Sequence, residues 1–268
     1  MKRTAITVLL LALFFTLSSH ELFLKSDTYF LEENSRSELY LFNGTFDESE
    51  NVITRDRIID PQIIGPEYNF KPSPDDYYDK DKATYLQFKT GFAGTYVAGV
   101  STKPRTIELS GEEFTAYLEH EGLTAVIEDR KSKGISDQMA REKYSKHVKA
   151  IFQVDEKRTE HFSTSLGYPI EFIPLKNPYI LSVGDSMSFK LLYRGEPLGN
   201  QTVHISSRKN FGEKGEGETA VRTNDNGEVS FTIGNEGQWY IATIHMIESD
   251  EGSLDYESNW ATLTFEVK

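Results

Sequence analysis

Gly237-Gln-Trp-Tyr-Ile-Ala-Thr-Ile-His-Met246 and the tail Asn259-Trp-Ala-Thr-Leu-Thr-Phe-Glu-Val267 decide the fold. In an extended chain, Trp239, Ile241, Thr243 and His245 point to one side, and Tyr240, Ala242, Ile244 and Met246 to the other. A stretch this rich in β-branched and aromatic residues, apolar on both sides, reads as a strand inside a β-sandwich. The tail reads as the strand that closes the sheet.

Working back, residues 170–173, 186–193, 202–205, 219–222 and 228–233 carry the same short alternations. Turn signals separate them: Val183-Gly-Asp185, Arg194-Gly-Glu-Pro197, Asn224-Asp-Asn-Gly227 and Asn235-Glu-Gly237. About seven such strands predict an immunoglobulin-like β-sandwich over 168–268. Residues 20–160 predict an antiparallel β-domain with strands near 20–25, 28–31, 38–42, 85–89, 94–100 and 106–109. Pro61 makes 57–64 an edge or broken strand, and the polar, turn-rich 66–82 reads as a surface loop or hairpin.

A helical segment at about 110–150 interrupts this domain. Ser110-Gly-Glu-Glu113 is a capping box, Phe114, Tyr117 and Leu118 share a face, and Gly122 ends the helix. Met139, Tyr144, Val148 and Ile151 predict a second helix over 137–150 whose basic face is solvated or meets the acidic remainder of the protein. The fold class is therefore mostly β, with a two-helix segment.

Met1-Lys-Arg3, the apolar run 6–17 and the small residues Thr16-Leu-Ser-Ser19 predict a signal peptide over 1–19 and a periplasmic or secreted protein. The apolar run is shorter than the ~20 residues a membrane span needs. Loss of Lys2 and Arg3 would take the formal charge from −13 to −15. That balance excludes nucleic acid, whose phosphates need clustered Lys and Arg. There is no cysteine, so neither a disulfide framework nor a lipidated cysteine is available.

The chain resembles a known family. The resemblance rests on His20-Glu-Leu-Phe-Leu-Lys25, Arg141-Glu-Lys-Tyr-Ser-Lys-His-Val-Lys149, Leu166-Gly-Tyr-Pro-Ile-Glu-Phe-Ile-Pro174, Asn177-Pro-Tyr179, Gly195-Glu-Pro-Leu-Gly199, Thr223-Asn-Asp-Asn-Gly227, Gly237-Gln-Trp239 and His245-Met246. This is a bacterial domain-of-unknown-function family labelled a nickel-uptake substrate-specific region, or a periplasmic component of nickel or cobalt transport. The resemblance implies a nickel, cobalt or copper ion as ligand and a membrane metal-transport component as partner. Transport components of that kind begin their mature chain with Met-His, whereas here His20 is followed by Glu21.

The six histidines are His20, His120, His147, His161, His204 and His245. None forms an i, i+4 pair, so a metal site would be assembled from distant segments. Cleavage after Ser19 would give His20 a free amine beside its imidazole, a chelating pair suited to Cu(II) or Ni(II). His245 is the expected partner, and His20 and His245 are the candidate metal ligands. His120 suits the end of its helix, His147 the surface of the basic helix or a packing contact between domains, and His204 a solvent face. Asp75, Asp76, Asp79 and Asp81 lack the calcium-loop pattern and read as a solvated loop, and Asn224–Gly227 reads as a hairpin turn.

No nucleophile elbow and no phosphate-cradling glycine loop is present, so the expectation is a non-enzymatic binding protein. An envelope module that docks protein or glycan through an exposed aromatic patch is the alternative. A copper enzyme built on His20 is a third reading.

Overall fold

The computed structural model describes residues 21–208 and 218–268. The expected signal peptide and His20 lie outside them. Their organisation follows from one large sheet with a smaller sheet on each face.

The N-terminal part contributes β1 (Glu21–Lys25), β2 (Phe30–Leu31), β3 (Arg36–Gly44), β4 (Ile58–Gly65), β5 (Tyr68–Phe70), β6 (Tyr77–Lys80), β7 (Ala83–Lys89), β8 (Gly94–Thr102) and β9 (Arg105–Leu109). Helices α1 (Gly111–His120) and α2 (Thr124–Ser132) follow, and then β10 (Ala140–Val154). The C-terminal part holds β11 (Ile170–Pro174), β12 (Ser186–Tyr193), β13 (Glu196–Pro197), β14 (Thr202–Ser207), β15 (Thr219–Arg222), β16 (Glu228–Thr232), β17 (Gly237–Glu248) and β18 (Tyr256–Val267).

Sheet A runs β1-β3-β7-β6. Sheet B, with ten strands among the described residues, runs β15-β14-β17-β18-β10-β8-β4-β5, with β2 and β9 also on β10. Sheet C joins β11, β12, β13 and β16. The fold is mostly β with two helices, as the strand patterns predict. The seven C-terminal strands all appear, and sheet C closes on sheet B as a sandwich through Phe189, Phe231, Trp239 and Phe265. The segments 20–160 and 168–268 both supply strands to sheet B, and one apolar cluster runs through both, from Leu22 to Val267.

Local chemistry explains several boundaries. Ser110 and Glu113 form the reciprocal capping box that starts α1, and Gly122, at φ +67°, follows its end. Pro61 falls where the β4–β8 register slips between Ile59 and Gln62, a place where its missing N–H is tolerated. Residues 66–82 are not one loop but hold β5 and β6. In the Asn224–Gly227 turn, the Asn224 side chain accepts from the Asn226 and Glu228 amides.

Two expectations are corrected. The helix expected over 137–150 is strand β10, and the second helix is α2, further upstream. Several polar residues of β10 point into the protein rather than into water: Lys146, His147 and Lys149 are all buried, while Arg141 at its start is exposed. Each has partners from distant segments, which outweigh the helical spacing of its neighbours. The final strand does not close the sheet either. β18 is interior, antiparallel to β17 on one side and parallel to β10 on the other.

Alternation then sorts side chains between the faces of sheet B. His147 and Lys149 face sheet C, where Lys149 Nζ meets Glu171 Oε2 at 2.8 Å and donates to the Phe172 carbonyl at 3.0 Å. Phe152 faces sheet A and packs on Phe88. Strand β1 lies on this same face, its Leu22 and Leu24 carbonyls accepting from the Thr262 and Thr264 hydroxyls of β18.

The Lys149–Glu171 pair is almost fully enclosed, with side chains 1% and 2% exposed. Removing one charge strands the other. Glu171→Gln should therefore destabilise the protein by about 3–5 kcal/mol in urea unfolding, and Lys149→Met with Glu171→Gln should recover much of that loss. A Glu171→Gln loss below about 1 kcal/mol would mean that the pair adds little.

Candidate functional site

The face of sheet B that carries β1 gathers a cluster of perturbed ionisable groups. Glu21 opens β1 opposite Gly44 of β3. Burial pushes its carboxyl up to about 8, the charges of Glu121 and Glu218 add to that, and His204 and Lys146 oppose it. Each of these neighbours comes from a different element.

His204 lies on β14, paired in register with Ala242 of β17 and so on the side of Tyr240. Its Nδ1 donates to Glu218 Oε1 at 2.6 Å, and the Tyr240 hydroxyl donates to Glu218 Oε2 at 2.8 Å. Burial works against a charge on His204, but Glu218, with Glu21 and Glu121 behind it, raises its pKa overall. His120 ends α1, with Nδ1 on Glu121 Oε1 at 2.9 Å; this hydrogen bond raises its pKa. Glu121 is buried while the His120 side chain is 71% exposed.

The floor of the cluster is aromatic. Trp260 of β18 stacks on Tyr117 of α1 with centroids 6.2 Å apart, and Lys146 Nζ lies 4.9 Å from the Trp260 ring. Burial lowers the Lys146 pKa to about 8. Beside it, Glu142 accepts from the Tyr117 hydroxyl at 3.2 Å and from Ser258, and burial raises its pKa. The arrangement offers two imidazoles, each held by a carboxylate, around the half-buried acid Glu21. Among the described residues, no three His, Asp or Glu side chains stand close enough to hold a metal ion as they are.

His245 is elsewhere. It shares the opposite face of β17 with Trp239 and Ile241, its ring 4.4 Å from Tyr193 of β12. Its Nδ1 donates to Gln201 Oε1 at 3.1 Å, and burial, then Arg194, lowers its pKa. Glu21, the residue after His20, is on the other side of the sheet. His204 is half-buried and carboxylate-bound rather than solvated. The alternation reading found His204 but not its partner Glu218, fourteen residues away. The sequence places His120 at a helix end; α1 meets β18 through Phe114 on Tyr256 and Tyr117 on Trp260.

His147, expected on a helix at the surface or in a packing contact between domains, is 3% exposed inside sheet B. Ser101 Oγ is 2.8 Å from its Nδ1, and Asn259 Oδ1 is 3.1 Å from its Nε2. The set has the outline of a hydrolytic triad, but Ser101 is 2% exposed and has no route to a substrate. It works instead as a polar tie between β8, β10 and β18.

The chain matches the sequence profile of a domain of unknown function, DUF4198, over residues 17–247. It belongs to that family. No curated protein matches it. Among solved structures, it is similar to the D0–D1 domain of intimin at TM-score 0.22 and 11% identity, over 91% of this chain and 97% of that one. It is also similar to an Escherichia coli alpha-2-macroglobulin activated by porcine elastase at TM-score 0.23 and 8% identity, over 91% of this chain and 20% of that one. An ICAM-5 D1–D4 ectodomain fragment follows at TM-score 0.22 and 13% identity, covering 94% and 48%. Among the described residues, no helix is long and apolar enough to cross a membrane.

Burial lowers the His147 pKa from 6.5 to about 4. Between those values the unfolded chain binds the extra proton, so stability rises with pH. The contribution is whole above pH 6.5 and is lost as pH falls toward 4. The raised values of His120 and His204 act in the opposite sense, so the effect is isolated by difference. His147→Gln should flatten the acid arm of the Tm-against-pH curve, removing on the order of 3 kcal/mol of pH dependence by its acid end. Parallel acid arms in the two proteins would contradict this.

Proposed function

We propose that this is an exported, periplasmic or secreted protein that binds a transition metal ion (nickel, cobalt or copper) as cargo for a membrane uptake component. The observation that carries the reading is the pairing of two imidazoles with carboxylates on one face, His204 with Glu218 and His120 with Glu121, around Glu21. Histidines that ligate metals usually donate their second ring N–H to a carboxylate, which fixes the tautomer and turns the other nitrogen toward the ion. With no cysteine in the chain, nitrogen and carboxylate donors are what it can offer, and these suit Ni(II) and Cu(II).

His20 remains in the proposed set, because cleavage after Ser19 would give it a free amine next to Glu21. The second imidazole is His204, with His120 as an exposed third, rather than His245. His245 is engaged with Gln201 and Tyr193 on the far face. The membrane partner rests on the sequence resemblance alone.

Calorimetry on the mature protein beginning at His20 should show one equivalent of Ni(II) or Cu(II) bound. His204→Ala and a short N-terminal extension should each weaken binding by about tenfold or more, and His245→Ala should leave it intact. Binding indifferent to His204→Ala and to the extension would remove the ion from this face, and loss in His245→Ala would return it to the other.

A further inference from the structure

A second feature lies apart from the histidine cluster, on the outer face of sheet A. There a groove of about 550 Å³ opens between the end of β1 and strands β3 and β7. The inner residues of these strands, Leu39, Leu41, Leu86 and Phe88, are spent on the core. The outer ones stand in three cross-strand bands: Arg36 beside Lys89, Glu38 beside Gln87, and Tyr40 beside Tyr85. Alternate residues of a strand are about 7 Å apart, so the bands form a ladder along the groove.

Each band has its own chemistry. The aromatic band extends across the sheet, Tyr78 to Tyr85 at 5.0 Å and Tyr85 to Tyr40 at 5.3 Å, and Phe42 lies beyond Tyr40 at 4.9 Å. Glu38 Oε1 accepts from the Tyr78 hydroxyl at 3.0 Å and from Gln87 Nε2 at 2.8 Å. Asp27 Oδ1 accepts from the Tyr40 hydroxyl at 2.9 Å. These bonds fix the side chains in place and leave the second oxygen of each carboxylate to accept from a ligand. Arg36, Lys89 and the Gln87 amide supply donors in the same groove.

We infer that this groove binds a neutral oligosaccharide. Sugar hydroxyls both donate and accept, so their site must offer both roles at close spacing, as Glu38, Asp27, Gln87 and Arg36 do. The C–H faces of a pyranose need an apolar surface, and the half-exposed Tyr85, backed by the buried Tyr40, supplies one with a polar tip. The two acids and two bases cancel, so nothing in the groove selects a charged occupant, and the negative charge of the whole protein disfavours an anion. A peptide adding as a strand would find only the short β3 edge from Arg36 to Leu39 that β1 leaves unpaired. The site is independent of the proposed metal ligands.

The test is calorimetry on the mature protein with maltohexaose and cellohexaose, with trigalacturonate as the charged control. At least one neutral hexasaccharide should bind, with an affinity unchanged by added NaCl. Tyr85→Ala should weaken it by about fivefold or more. Gln87→Ala, at an exposed position that leaves folding intact, should weaken it by about fivefold as well. Three results would overturn the inference: no neutral saccharide bound at about 10 mM, salt-sensitive binding of trigalacturonate alone, or full binding in both variants. Displacement of the hexasaccharide by no sugar but by an extended peptide would overturn it too.

Discussion

Nine parallel pairs between β10 and β18, from Glu142 with Tyr256 to Ala150 with Thr264, join the N-terminal half of the chain to its C-terminal strand. Parallel strands need a long connection, and here more than a hundred residues lie between the partners. Once that register is set, period-two alternation decides which side chains meet sheet C and which meet β1 and α1. A slip of one residue would carry Lys149 away from Glu171 and Lys146 away from Trp260. The buried charges thus penalise wrong registers as well as add contacts, and an apolar strand in the same place would discriminate less sharply.

The C-terminal strands were legible because their signal is local. Trp239 to Met246 and Trp260 to Val267 alternate within a window of eight residues, and Gly227 and Gly237 mark turns by chemistry that needs no distant partner. β10 was not legible, for the converse reason. Lys146, His147 and Lys149 look like the wet side of a helix until Trp260, Asn259 and Glu171 are known to lie beside them. Burial of a cation is permitted only by its partners, and those partners come from elsewhere in the chain. The place of β18 was hidden in the same way: a strand apolar on both sides is interior, but its second neighbour was being read as a helix.

The candidate site was half legible. His120 and His204 were each visible, and each had an ordinary explanation, a helix end and a solvent face. What raised them above that was the carboxylate on each Nδ1 and the convergence of both pairs on Glu21. His245 was chosen from the same alternation that placed it on one side of β17. That alternation could not tell which side β1 would cover, because Phe23 meets Tyr240 rather than Trp239 only in the folded sheet.

The two faces of sheet B treat imidazoles in opposite ways, and this difference separates scaffold from candidate site. Toward sheet C, His147 and His245 meet neutral partners, Ser101, Asn259, Gln201 and Tyr193, and burial lowers both pKa values. Both ring nitrogens of His147 and the Nδ1 of His245 are engaged, and no carboxylate holds either ring. Toward β1 and α1, His120 and His204 are each bonded to a carboxylate that favours positive charge, and both pKa values rise. An environment that stabilises a proton on an imidazole has the negative potential that also stabilises a cation, and a metal ion competes with that proton for the ring. Glu218 is anchored by Tyr240 and Glu121 is buried, so neither carboxylate must be organised when an ion arrives. By this argument the number of histidines on a face matters less than the carboxylates that orient them.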